Sequence, residues 1–304
     1  MITYHYKSLK DSKLRQVKTH RKGALTIITK ATNEDLTHIA NLTDLQVSDL
    51  RDIFDYQEIP RLETTNDVNI MVLREPIESD TGQYTAVVML VFAKTNFSII
   101  SATSSRTLST WIRKEHTTTQ TTKLLISFLI AISEQYRLNI NNLQRQVFEV
   151  KRRLHRATNA DIQKLIEYQN ILDEYLAALL PMKQMYTTLI SGKIIPLFEE
   201  DNALFEDTLN SISQSADVCN TNLKSIEGLR DAFQIIFTNR LNETVKFLTS
   251  TTIILTIPTM VASIFGMNVI LPLGNHPGAF LIVLGVALSI SIGITLVFRK
   301  MEWL

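Results

Sequence analysis

The pattern of apolar and polar positions changes character twice along the chain. Residues 247–298 contain no Asp, Glu, Lys or Arg, although both flanks are rich in them. Two apolar runs, 247–268 and 279–298, fill this interval, and an uncharged stretch at 269–278 separates them. At 1.5 Å per helical residue, each run is long enough to cross about 30 Å of hydrocarbon. Lys246 precedes the first run and Arg299-Lys300 follow the second, with no Lys or Arg between. The positive-inside rule then predicts a multi-pass protein of the cell membrane, with both termini cytoplasmic and the short loop outside. Trp303, just after the last cations, is expected as an interfacial anchor.

Upstream, residues 1–121 read as a mixed α/β domain. Ala24-Leu25-Thr26-Ile27-Ile28-Thr29 is a β-rich run. A helix starts at Thr32-Asn33-Glu34-Asp35, where Thr32 or Asn33 can cap and the acids suit the dipole. Runs at 69–73 and 84–92, joined by a turn at 78–82, predict a hairpin, and 97–101 is a further strand. A sheet with helices packed on it is the economical architecture.

Residues 122–200 predict an antiparallel hairpin of two long helices, 122–155 and 161–197. Lys151, Arg152, Arg153 and Arg156 near its tip are expected to be a solvated helix end, the alternative being an anion or lipid contact. A stalk helix follows at 201–246, after Pro196 and an acidic patch. Leu209, Ile212, Ala216, Cys219, Leu223, Ile226, Phe233 and Phe237 recur at steps of three and four and predict a buried face. Cys219 lies within it, so packing is expected rather than chemistry. Asp207, Asn210, Gln214, Asp217, Thr221, Lys224, Gly228 and Asp231 form a neighbouring polar stripe. A simple coiled coil wants apolar residues at both core positions, so this helix is expected to pack on protein on one side and face water on the other.

The first span carries a similar stripe. Asn242, Val245, Thr249, Thr252, Thr256, Thr259, Ser263 and Gly266 alternate by three and four and fall on one helix face. Two readings compete. Hydroxyls in membrane helices bond to their own i−4 carbonyls or to neighbouring helices, so the stripe can be helix–helix glue. Alternatively it lines an aqueous path. Continuity with the polar stripe upstream, and a neutral amide at the end of Gly266-Met267-Asn268, favour the path. Two spans cannot enclose one, so that reading requires a homo-oligomer, with the first span inside and the second outside. Gly285, Ser289 and Gly293 then offer the second span a small-residue face for another helix. Pro258 is expected to free a carbonyl and bend the first span.

Composition removes other classes. The formal net charge of +1 supplies no field for nucleic acid, which is not expected as a partner. One cysteine in 304 residues excludes an internal disulfide and a cysteine-based zinc site. No apolar segment opens the chain, so no cleaved signal peptide is expected. Ser191-Gly192-Lys193 lacks the glycine spacing of a phosphate loop, and no catalytic motif is present, so no enzyme activity or resident cofactor is expected. His276, alone in the outer loop, is read as incidental.

Gly266-Met267-Asn268, ending the first of two C-terminal spans, resembles the signature of the CorA family of magnesium and cobalt channels. Ile59-Pro60-Arg61-Leu62-Glu63 is similar to the family's Pro-(Arg/Lys)-hydrophobic-Glu motif. Asn239-Arg240-Leu241-Asn242-Glu243 resembles its approach to the first span, and residues 298–304 resemble its basic tail ending in Trp-Leu. The resemblance implies an α+β membrane protein, a homopentameric funnel. Its parts would be an N-terminal cytosolic α/β/α domain, a long helical hairpin and stalk helix, two C-terminal transmembrane helices and a basic tail at 299–304. It implies entry and selection of a hydrated cation at Gly266, Met267 and Asn268. It further implies a path lined by Asn242, Thr249, Thr252, Thr256, Thr259 and Ser263, and an apolar gate at Val245 and Leu248. Mg2+ would be substrate and also regulatory ligand, at Asp207, with Glu78 and Asp80 as weak candidates for its partner. Phe265 replaces the usual Tyr, and the outer loop lacks the acid many members carry. A zinc transporter of the same superfamily, and a membrane-anchored scaffold or sensor, are the alternatives.

Overall fold

A computed structural model describes residues 1–77, 82–114, 116–192, 194–195, 197–267 and 277–303. They form two compact units, 1–229 and 230–304.

The first unit begins with seven strands: β1 (Ile2–Tyr6), β2 (Arg15–Val17), β3 (Leu25–Ile28), β4 (Arg61–Thr65), β5 (Val68–Pro76), β6 (Thr85–Phe92) and β7 (Phe97–Ser101). They make one sheet in the order β2-β1-β3-β7-β6-β5-β4. Only β3 and β7 pair in parallel, with Ile27 opposite Ile99; the rest are antiparallel. The predicted hairpin is present as β5–β6, with Leu73 opposite Val88, and residues 78–81 of its turn lie outside the described residues. Strands β3, β6 and β7 are buried at every position. Both faces of a covered sheet need apolar residues, which explains their largely apolar runs, interrupted by the buried hydroxyls of Thr26, Thr85, Ser98 and Ser101.

Helix α1 (Asn33–Thr43) packs Leu36 and Ile39 against Ile70, Val72, Met89 and Ile100 on one face. Of the two expected caps, Thr32 serves: its Oγ1 accepts from Asp35 N at 3.3 Å and Asp35 Oδ2 accepts from Thr32 N at 3.1 Å. The short α2 (Arg106–Trp111) and α3 (Thr121–Arg152) lie together, with Trp111 Nε1 donating to Ser127 Oγ at 3.1 Å, and α3 contacts β5. The family-like segment around Pro60 has a structural role. The Arg61 guanidinium pairs with Asp52, Glu58 and Glu63, and so ties the turn of helix at 47–54 to β4.

Helix α4 (Asn159–Ile190) contacts α3, β4 and β5. Its Glu174 receives Arg74 Nη2 at 2.9 Å, Thr85 N at 2.9 Å and Thr85 Oγ1 at 2.7 Å. The hairpin is shorter than the sequence pattern predicts: α4 stops at Ile190 rather than 197. Gly192, at φ +68°, ends it, with Gly192 N donating to Leu189 O at 3.1 Å. Left-handed backbone there is ordinary for glycine and costly for residues with a Cβ.

Helix α5 (Glu199–Phe265) includes the acidic patch instead of following it: Glu199, Glu200 and Asp201 form its first turn, where Asp201 is buried, and Glu206 and Asp207 lie further along. Acids at a helix N-terminus complement the exposed N–H groups. Up to residue 229 its expected faces are observed. Ile212, Ala216, Cys219, Leu223 and Ile226 are buried, whereas Asp207, Asn210, Gln214, Asp217, Thr221 and Lys224 are exposed. Burial pushes the Cys219 thiol up to about 12, consistent with packing. Phe237, in the second unit, departs from the pattern at 48% exposure.

A second buried column accompanies the apolar one. Asp201, Thr208, Ser215, Asn222 and Leu229 recur every seven residues, as do Phe205, Ile212, Cys219 and Ile226. The hairpin repeats the same period, with Leu129, Tyr136, Leu143 and Val150 on α3 and Leu165, Leu172, Leu179 and Tyr186 on α4. A seven-residue repeat drifts about 20° per heptad on a straight helix, so sustained contact favours left-handed coiling. Three helices thus share a coiled-coil period, with one column of the third largely polar.

Candidate functional site

The second unit contains the rest of α5, and α6 (Ala279–Lys300). Both helices contain windows apolar and long enough to cross a membrane, and only 6% and 11% of those windows are buried. A core helix of a water-soluble protein would be mostly covered, so this exposure fits two helices meant for lipid or for other chains.

Helix α6 packs on one side of α5. Pro258, Val261, Ala262 and Phe265 face Phe280, Val283, Leu284 and Ala287 around an apolar cavity of about 390 Å³. Ser250 is fully buried on the same side, donating to Lys246 O at 2.8 Å, with Trp303 O 3.4 Å away. Trp303 stacks on Phe298, the ring centroids 5.6 Å apart, and its N–H bonds to Phe298 O at 3.0 Å. The tail is therefore folded back on the end of α6.

The hydroxyl stripe lies on the other side. Thr249, Thr252, Thr256, Thr259 and Ser263 are exposed, as is Asn242. At about 100° per residue they centre roughly opposite the positions that meet α6. Thr252 donates to Leu248 O at 2.8 Å, Thr256 to Thr252 O at 2.7 Å and Thr259 to Leu255 O at 3.0 Å. These three hydroxyls donate to the helix's own backbone, leaving lone pairs to point outward. Within one chain the stripe does not bind α5 to α6. Val245 and Leu248, at 52% and 65% exposure, extend the same side toward residue 242.

The small residues of α6 also lie away from α5. Gly285, Ser289 and Gly293 are exposed, with nothing within 4 Å of a Cβ built at either glycine, while Ala287 and Ser291 are buried. The face that one chain leaves uncovered is thus the one with the small residues.

The helix ends at Phe265, earlier than the expected span end at 268. Gly266 N bonds to Ala262 O at 2.9 Å and Ser263 O at 3.2 Å, and Met267 N to Ile264 O at 3.3 Å, closing the last turn. A Cβ at residue 266 would sit 3.3 Å from Ala262 O, a tight contact that favours glycine. Asn268, Asn275 and His276 lie outside the described residues, as do Glu78 and Asp80.

Asp207 is exposed in the third turn of α5, in the first unit. Among the described residues no three His, Cys, Asp or Glu side chains gather in a way that would hold a metal ion. One residue pair missed in the sequence lies elsewhere on the same helix bundle: partial desolvation, and then Glu227 of α5, raise the Asp173 carboxyl of α4 above its usual range. Two acids on different helices are invisible to a reading along one helix.

Comparison with known proteins bears on the whole chain. Residues 27–300 match the family described as CorA-like Mg2+ transporter protein. The cobalt/magnesium transport protein CorA of Methanocaldococcus jannaschii is 24% identical over 286 residues, covering 90% of this chain and 88% of that protein. The complete structure of the CorA magnesium transporter from the same organism superposes with a TM-score of 0.85 at 20% identity, covering 100% of this chain and 99% of that one. The cytoplasmic domain of ZntB from Vibrio parahaemolyticus shares the fold over 79% of this chain and 98% of its own, with a TM-score of 0.64 at 11% identity.

Proposed function

The chain belongs to the CorA-like Mg2+ transporter family, and from that premise we propose that it is a homopentameric channel admitting magnesium, and cobalt, down the electrochemical gradient. Membership supports a role in ion transport. Five copies would place α5 around the axis and α6 outside, in the cell membrane with both termini in the cytosol.

The observation that carries this reading is the row of exposed threonines opposite α6, of which Thr252, Thr256 and Thr259 each commit a proton to an i−4 carbonyl. Magnesium sheds water reluctantly and keeps several waters when bound. The outer surface of a hydrated cation is a shell of O–H donors. A wall of hydroxyl lone pairs accepts from that shell without stripping it. Carboxylates in a narrow path would bind the ion too tightly to release it. In this reading Asn268 receives the hydrated ion, Thr249 to Ser263 pass it on, and Val245 and Leu248 close the path by dewetting. Asp207 holds a regulatory Mg2+ between subunits, so that high internal magnesium keeps the assembly closed.

Uptake into proteoliposomes, followed with a magnesium-sensitive dye, tests the reading. The intact chain should carry Mg2+, and Asn268→Ala should remove most of the flux while the protein still reconstitutes. Flux of zinc without magnesium would move the assignment to a zinc transporter. No flux of any divalent cation would leave a membrane-anchored scaffold.

A further inference from the structure

Far along the sequence from the spans, three side chains from three elements meet on the N-terminal sheet. Tyr4 lies on β1, His38 on α1, and His20 on the connection between β2 and β3. Tyr4 Oη is 2.6 Å from His38 Nε2. The rings of His20 and His38 both meet the Tyr4 ring edge-on, with centroids 6.1 and 6.3 Å from it. All three are half-buried. Tyr4 also lines an open depression of about 350 Å³ with Thr3, Gln16 and Lys18.

We propose that His20, His38 and Tyr4 form a binding site for one divalent transition metal of the cobalt–zinc group. Imidazole nitrogen suits Co2+, Ni2+, Cu2+ and Zn2+, whereas Mg2+ wants oxygen, so this site discriminates against the magnesium that the path is proposed to carry. In the His38 tautomer with Nε2 unprotonated the phenol donates across the short Oη···Nε2 contact, and the proton between the two atoms is the one a metal would replace. A metal replacing that proton needs the two atoms roughly 2.9–3.3 Å apart, from bond lengths near 2.0–2.1 Å and angles between a right angle and tetrahedral. The contact has to open by well under 1 Å. His20 supplies the third ligand and water the remainder. Burial, followed by the charge of His38, lowers the His20 pKa, which favours the neutral form that ligates. Two imidazoles packed against one tyrosine ring repel when both are protonated and are at ease when neutral or shared by a cation.

The test uses the full chain in detergent, freed of metal by chelation and titrated with Co2+ alone by calorimetry and visible absorption. His20→Ala and His38→Ala should each weaken one equivalent of Co2+ by at least about tenfold. Binding should release protons in the intact chain and fewer in Tyr4→Phe. Excess Mg2+ should leave that equivalent in place. His38→Gln, which retains a partner for Tyr4, guards against misfolding. If it melts like the intact chain yet binds Co2+ as tightly, or if the double histidine variant keeps every equivalent, the site is overturned. Displacement of the Co2+ by a similar concentration of Mg2+ would overturn it equally.

Discussion

Among the described residues Asp207 has no neighbours that make it a cation site within one chain, and its proposed role depends on another subunit. Its consequence is nevertheless measurable. Asp207→Ala should leave folding intact, because an exposed side chain past the first turn contributes within about 0.5 kcal/mol. The variant should lose inhibition of uptake by internal magnesium; unchanged inhibition would end the assignment. Arg61 illustrates the opposite case. Its motif suggested a family, yet its three carboxylate partners give it a local task within the sheet domain. Tyr4, His20 and His38 escaped the sequence reading altogether. They are 16 and 18 positions apart, and only strand pairing and helix docking bring them together.

Elements were legible in proportion to how uniformly they are buried or exposed. Strands β3, β6 and β7 are covered on both faces and read as apolar runs. Strands β1, β2 and β4 are partly exposed throughout, and Arg15-Gln16-Val17 has no apolar run to notice. The spans were legible because charge is absent over 52 positions (298 − 247 + 1), a feature no local error can hide. The polar buried column of α5 was not: Thr208, Ser215 and Asn222 look like surface residues until the apolar column beside them is seen to share their period. The end of α4 is a matter of backbone rather than pattern. Gly192→Ala would force a Cβ into left-handed backbone, where nothing within 4 Å blocks it, so the cost is conformational. Chemical denaturation should show a loss of about 1 kcal/mol.

For the whole molecule, two helices whose outward faces hold hydroxyls on α5 and small residues on α6 describe a part rather than a finished object. The proposed assembly needs no chemical fuel. A divalent ion entering a negative interior gains about 4–5 kcal/mol per 100 mV. Proteoliposomes should therefore accelerate magnesium uptake when an inside-negative potential is imposed, without ATP, and slow it when the potential is reversed. Uptake indifferent to the potential would count against a channel. The threonine rotamers carry one more consequence. Conduction of H+ along a wall requires hydroxyls free to hand a proton to the next oxygen and take one from the last. Thr252, Thr256 and Thr259 are each locked to a carbonyl of their own helix. At these three positions the wall has no movable link, so the route proposed for a hydrated metal is not, through Thr252, Thr256 and Thr259, a leak in the cell's proton gradient.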